Sequence, residues 1–260
     1  LEIPKTALFK KHTYSPTHGE TQMIKKQITV RRIVANELAR IAELEQQIWS
    51  KEGADIFDIN HIKSWFKLNR ASFLVAIVDG LIVGYAFAQI MRLNSATIKL
   101  PSTYMKTVDD GFCKTTHDKK GNFHFCITVC SINPGAGRAL INALSKQASK
   151  SQKPLLGVSR IIGFSEYLFQ TQVLNPQIIM GSAEKLAIAW HYAKKTAIMV
   201  GGTTTRELAP LKTKIIFPEI TSPDPVLAGY LKSKFSIVRP LIDFIKDPKS
   251  GDFGILCRQI

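Results

Sequence analysis

The sequence predicts an α/β fold with a mixed sheet flanked by helices. Three observations carry that expectation. Two apolar runs, 72–78 and 81–91, are joined by Asp79-Gly80, a strong short-range signal for a tight antiparallel hairpin. A β-branched and aromatic run at 123–132 leads straight into Asn133-Pro134-Gly135-Ala136-Gly137-Arg138. A helical pattern with Ala136, Ala139, Leu140, Ala143 and Leu144 on one face follows. The whole reads strand, helix, helix, hairpin, long strand, glycine turn, helix, strand.

Taken in order, residues 1–26 read as an N-terminal arm, with Pro4, Pro16, Gly19 and many polar side chains. Residues 27–33 alternate as a strand does. Asn36 is placed to cap a helix whose Leu38, Ile41, Ile48 and Trp49 share a face, and Asp58 to cap a second with Ile59, Ile62, Trp65 and Phe66. From 94 to 122 polar and turn-forming residues predict a long loop or flap, and 155–164 reads as the next strand. Residues 165–223 break the rhythm and read as an insertion between the fifth strand and the following helix. It contains a helix over 182–199 and would serve as a lid, a dimerisation arm or a partner site. A helix over 225–234 and a closing strand over 253–259 complete the domain, which spans 27–260.

Bulk properties narrow the class. At 260 residues the chain fits one domain with a large insertion, and 45% hydrophobic residues suffice for a sizeable core. No apolar run reaches the roughly 18 residues that cross a bilayer, and the first 20 residues lack a secretory signal, so a cytoplasmic protein is expected. A secreted effector without a classical signal would read the same way. The net charge of +15 fits either a solvated basic surface or steering of an anion such as a phosphorylated cofactor, an acidic carrier protein or a nucleic acid. The lysines are dispersed as pairs with no arginine-rich tract, which argues against nucleic acid. Four irregularly spaced cysteines fit reduced core thiols better than a disulfide scaffold. Cys113, His117, His124 and Cys126 are residue types that bind zinc, but His124 and Cys126 fall within a strand and no knuckle spacing is present, so no metal site is expected.

The glycine turn is the most informative segment. Gly135 and Gly137 let the backbone turn tightly and leave N–H groups uncovered at a helix N-terminus, an arrangement suited to a pyrophosphate; a purely structural turn is the other reading. Its spacing is neither that of a Walker loop nor that of a Rossmann turn.

On these residues the chain resembles the GNAT acyltransferases, whose acyl-CoA pyrophosphate rests on an Arg/Gln-x-x-Gly-x-Gly/Ala turn. Ile132-Asn133-Pro134-Gly135-Ala136-Gly137 matches both glycines, with Ile132 in place of Arg or Gln. Ala228-Gly229-Tyr230-Leu231-Lys232-Ser233-Lys234-Phe235 is similar to that family's Ala-x-x-Phe-Tyr-x-Lys-x-Gly-Phe helix end, with Lys234 replacing its glycine. A narrower likeness, to the subgroup containing polyketide synthase loading domains, rests on Asp224-Pro225-Val226-Leu227, on 247–254 and on Val158-Ser159-Arg160. The resemblance covers roughly 27–165 and 223–260.

It implies an acyltransferase that moves an acyl group, acetyl first among them, from acyl-CoA by direct attack of the acceptor. Val129 and Ser131 would lie beside pantetheine, and Ile132, Gly135, Ala136, Gly137, Arg138 and Ala139 around the pyrophosphate. Tyr230 matches the tyrosine that protonates the departing thiolate. His124 and Glu166 are the candidate bases, and Ser159 stands where loading decarboxylases carry a threonine. The acceptor stays open between a small amine, a protein and an acyl carrier protein. Loading of a carrier, with or without decarboxylation, and a degenerate fold that only binds a partner are the rival readings.

Overall fold

The structure, a computed structural model, describes residues 27–50, 55–205, 207 and 214–260. The expected arm at 1–26 lies outside the described residues.

One eight-stranded mixed sheet organises the chain, in the order β1-β2-β3-β4-β5-β8-β7-β6. Its strands are β1 (Thr29–Arg32), β2 (Phe73–Val78), β3 (Leu81–Met91), β4 (Phe123–Ser131), β5 (Leu155–Arg160), β6 (Thr203–Thr204), β7 (Phe235–Leu241) and β8 (Gly254–Gln259). Pairings are antiparallel except β4 with β5 and β6 with β7. Asp79 and Gly80 both take positive φ, +51° and +77°, as a two-residue hairpin turn requires.

Two apolar layers cover the sheet. On one face lie α1 (Leu38–Trp49), α2 (Ile59–Asn69), the segment 94–122 with the short α3 (Tyr104–Thr107), and Phe244. On the other lie α4 (Ala136–Lys150), α5 (Phe164–Leu174), α6 (Ser182–Val200) and α7 (Pro225–Leu231). Asp58 caps α2 as expected, its Oδ1 accepting from the N–H groups of Asn60 at 2.8 Å and His61 at 3.1 Å. The cap expected at Asn36 is built differently. A 3₁₀ turn precedes α1, and Glu37 reaches back to the Val34 N–H at 3.0 Å.

Three expectations need correction. The segment 94–122 is not a free flap: Ile98, Leu100, Val108 and Cys113 are buried in the core, and Trp65 Nε1 donates to Gly111 O. The strand expected to run to 164 stops at Arg160, because Phe164 begins α5. The strand β7 was not foreseen; it joins β8 to the edge strand β6. The residues read as an insertion form α5 and α6, and Phe164, Tyr167, Ile188, Trp190 and Tyr192 build the core of that face.

Arg160, at the end of β5, is fixed by a buried carboxylate. Its Nε donates to Asp247 Oδ2 at 2.7 Å and its Nη2 to Asp247 Oδ1 at 3.0 Å, and its guanidinium lies 5.2 Å from the centre of the Trp49 ring. Burial alone would raise the Asp247 pKa, but the Arg160 hydrogen bonds and charge outweigh it and hold the carboxyl below its usual range. Asp247→Ala removes both hydrogen bonds and the paired charge from the largely buried guanidinium, and we expect a loss of about 3 kcal/mol in urea unfolding. A loss below about 1 kcal/mol would place the pair among weak surface contacts.

Candidate active site

The site begins with a failure of strand pairing. β4 and β5 pair only at His124–Leu155, Phe125–Leu156 and Cys126–Gly157, although both strands continue. At the same point β4 carries a bulge: Ala88 faces Cys126 and Phe87 faces Thr128, leaving Ile127 as the extra residue. The bulge also changes which way side chains point. Phe125 and Ile127 lie in the α1/α2 layer, yet Thr128 and Cys130 share one face, with Oγ1 and Sγ 3.1 Å apart.

A cavity of about 800 Å³ opens through this splay. Ile127, Thr128, Val129 and Ser131 of β4 face Val158 and Arg160 of β5 across it. Gly137, Arg138 and Ile141 of α4, with Val226, Gly229 and Tyr230 of α7, line it on one side of the sheet. Glu45, Trp49, Phe57, Tyr104, Phe244 and Ile245 line it on the other. The Tyr104 hydroxyl donates to the bulge carbonyl, Ile127 O, at 2.8 Å.

The glycine turn closes one mouth. Gly135 has φ +85°, a left-handed conformation that glycine adopts without strain, and caps α4. The Ala136 N–H bonds to Asn133 O and the Ala139 N–H to Gly135 O. Those of Gly137 and Arg138 have no backbone acceptor among the described residues, as expected in a first helical turn. A Cβ on Gly137 would lie 3.3 Å from Ser131 Oγ.

Tyr230 lies at the apex of the splay. Its place depends on Gly157, where a Cβ would come within 2.5 Å of the ring. Burial, with the Cys126 and Cys257 thiols beside it, raises its phenol pKa well above the usual value, so the hydroxyl keeps its proton.

The structure thus gathers Tyr230, Val129, Ser131, Gly137 and Arg138 around one cavity, with Gly135, Ala136 and Ala139 in the adjoining turn. Ile132 is exposed beside that turn, its N–H bonded to Val83 O. His124, Ser159 and Glu166 are not among the cavity's lining residues. His124 sits at the tightly paired end of β4, its Nε2 2.8 Å from Ser151 Oγ, and burial followed by the Lys153 charge pushes its pKa down to about 4. Buried Ser159 donates to Arg160 O. Glu166, on the solvent side of α5, accepts from Gln170.

One acidic residue of the cavity wall was missed by the sequence reading. Glu45 of α1 is fully buried; its Oε1 accepts from the Phe57 N–H at 3.2 Å, while its Oε2 has no partner. Burial pushes its pKa up to about 8, against the hydrogen bond from the Phe57 N–H, which lowers it. The signal was present: Glu45 is four residues from both Ile41 and Trp49 and so falls on the apolar stripe of α1. Among the described residues, no three His, Cys, Asp or Glu side chains converge to hold a metal ion, and no helix is long and apolar enough to cross a membrane.

By sequence, no family model and no curated protein matches the chain. By structure, it is similar to the loading GNATL domain of CurA from Lyngbya majuscula, at a TM-score of 0.59 and 15% identity, over 90% of this chain and 97% of that one. The GphF GNAT-like decarboxylase, solved in complex with isobutyryl-CoA, gives 0.60 and 16% over 89% and 98%. Malonyl-CoA decarboxylase from Agrobacterium vitis gives 0.56 and 12% over 90% of this chain and 60% of that one.

Two outcomes follow from this geometry. Gly157→Ala forces the Tyr230 ring to move, and we expect a loss of about 1–3 kcal/mol in chemical denaturation; unchanged stability would show that the ring is not confined. Glu45 has a raised folded-state pKa, so its contribution to stability is full below the unfolded carboxylate value and lost as pH rises through about 8. Glu45→Gln should therefore gain stability relative to the wild type between about pH 5 and about pH 9. A difference that does not vary with pH would mean that Glu45 is not held in this way. The splayed sheet, the bulge and the turn at the head of α4, together with these structural neighbours, give the chain the GNAT fold, in a form resembling polyketide synthase loading domains.

Proposed function

We propose that the chain is an acyltransferase that transfers an acyl group from acyl-CoA to a nucleophilic acceptor by direct attack. The observation that carries this reading is the cavity running through the splay, with a helix N-terminus at one mouth and a protonated phenol at its apex. The N–H groups of Gly137 and Arg138 would take the pyrophosphate, and Val129, Ser131 and Ile141 would flank the pantetheine arm. The structural neighbour GphF GNAT-like decarboxylase, solved in complex with isobutyryl-CoA, supports the same class of co-substrate.

In this reading the acceptor attacks the thioester carbonyl while the Glu45 carboxylate takes its proton. The new bond to the acyl carbon forms as the carbon–sulfur bond breaks, and the Tyr230 hydroxyl gives a hydrogen bond, then a proton, to the departing thiolate. Glu45 suits the role better than His124 or Glu166 because it faces the cavity and keeps an unpaired oxygen.

The test is calorimetric titration with acyl-CoA, followed by release of free CoA thiol with small amines, a lysine-rich peptide and an acyl carrier protein as acceptors. Tyr230→Phe should lower turnover by about 10²-fold or more while changing acyl-CoA affinity by less than about threefold. With the wild type, kcat/KM should rise with pH to a plateau above about 8, and Glu45→Gln should abolish that rise. Full activity in either variant removes that residue from the chemistry.

A further inference from the structure

We infer that this site takes a neutral acyl group larger than acetyl and excludes thioesters whose acyl group ends in a carboxylate. The inference rests on the reading of the cavity as an acyl-CoA site and concerns the part of it beyond the splay.

The cofactor arm would use only the wall formed by α4, α7 and the end of β4. On the other side of the sheet the cavity continues as a chamber walled by Trp49, Phe57, Tyr104, Ile127, Phe244 and Ile245. An acetyl methyl would leave most of these surfaces untouched. Each further methylene transferred from water to such a wall gains about 0.8 kcal/mol, or about fourfold in affinity. The chamber therefore rewards a branched or longer chain.

Charge sets the second limit. A carboxylate carried into an apolar chamber must find a cation there, or its desolvation goes uncompensated. The fully buried ionisable group in this wall is Glu45, an acid. Arg160 is committed to Asp247 through two hydrogen bonds. Lys106 and Lys246 are exposed at the rim, together with Asp55, Asp110 and Asp243, so the described residues of the rim offer no excess of positive charge. Among the described residues, nothing in the chamber neutralises a malonyl group.

The experiment is calorimetric titration of the full chain near neutral pH with CoA, acetyl-CoA, isovaleryl-CoA, hexanoyl-CoA and malonyl-CoA. We expect affinity to rise above that of acetyl-CoA by up to about fourfold per methylene until the chamber is full. Malonyl-CoA should bind at least about tenfold more weakly than acetyl-CoA. Ile245→Trp and, separately, Met105→Trp, at two residues that line the cavity, fill the chamber and should reduce the hexanoyl-to-acetyl affinity ratio by about tenfold. Circular dichroism identifies which variants are folded, and either one suffices. CoA binding with equal affinities across the thioesters, tighter binding of malonyl-CoA, or an unchanged ratio in a folded variant overturns the inference alone. Failure of CoA and every thioester to bind overturns the acyl-CoA reading and the inference with it.

Discussion

The rest of the site depends on one constraint: β4 cannot stay paired with β5 beyond Cys126. The Ile127 bulge shifts β4 against β3, and the strand turns away from β5 over its last five residues. Main-chain groups on the open side then lack a ladder partner, and buried polar main chain rarely tolerates that. The Tyr104 hydroxyl satisfies the bulge carbonyl, and the cavity supplies room for a ligand or water to satisfy others. The same divergence gives Tyr230 and α7 a place against β5, where Gly157 leaves space for the ring. Fold and site thus share one cause, a sheet that is closed at one end and open at the other.

Electrostatics around the opening follow from what is paired. Asp247 and Arg160 neutralise each other and fix the end of β5 against Trp49. Trp49 in turn donates to Cys130 Sγ at 3.0 Å, tying α1 to β4 beside the cavity. Glu45, one turn earlier on α1, has no cation partner among the described residues, and burial raises its pKa. A carboxyl kept near neutrality in an apolar wall costs stability at alkaline pH, and such a cost is common at sites that move protons. Tyr230, on the opposite face of the sheet, keeps its proton because burial raises its phenol pKa.

Much of this was legible in the sequence where a local rule coincides with a tertiary need. Asp79-Gly80, the Asp58 cap and the Gly135–Gly137 turn each demand one backbone geometry, and each is found. The strand β7 escaped notice because Pro240 reads as a breaker. The strand tolerates it because β6 reaches only Ser236 and Ile237, leaving Pro240 beyond the neighbour that would have needed its N–H. The helix α5 was hidden by apolar residues on all sides, since Phe169 and Val173 are exposed while Phe164 and Tyr167 are buried, so its period is weak. Candidate bases were sought beside β4 and β5. The fully buried acid of the cavity wall, Glu45, comes from α1, a proximity set by helix packing that no linear motif encodes.

The central claim is that acyl-CoA threads the splay, with its pyrophosphate at the head of α4 and its sulfur at Tyr230. A crystal structure of the chain with a non-hydrolysable acyl-CoA thioether tests it most directly. The account predicts phosphate oxygens on the Gly137 and Arg138 N–H groups, the sulfur within hydrogen-bonding reach of the Tyr230 hydroxyl, and the acyl chain beyond Ile127. An empty cavity at saturating ligand, or a ligand bound elsewhere on the sheet, would contradict it.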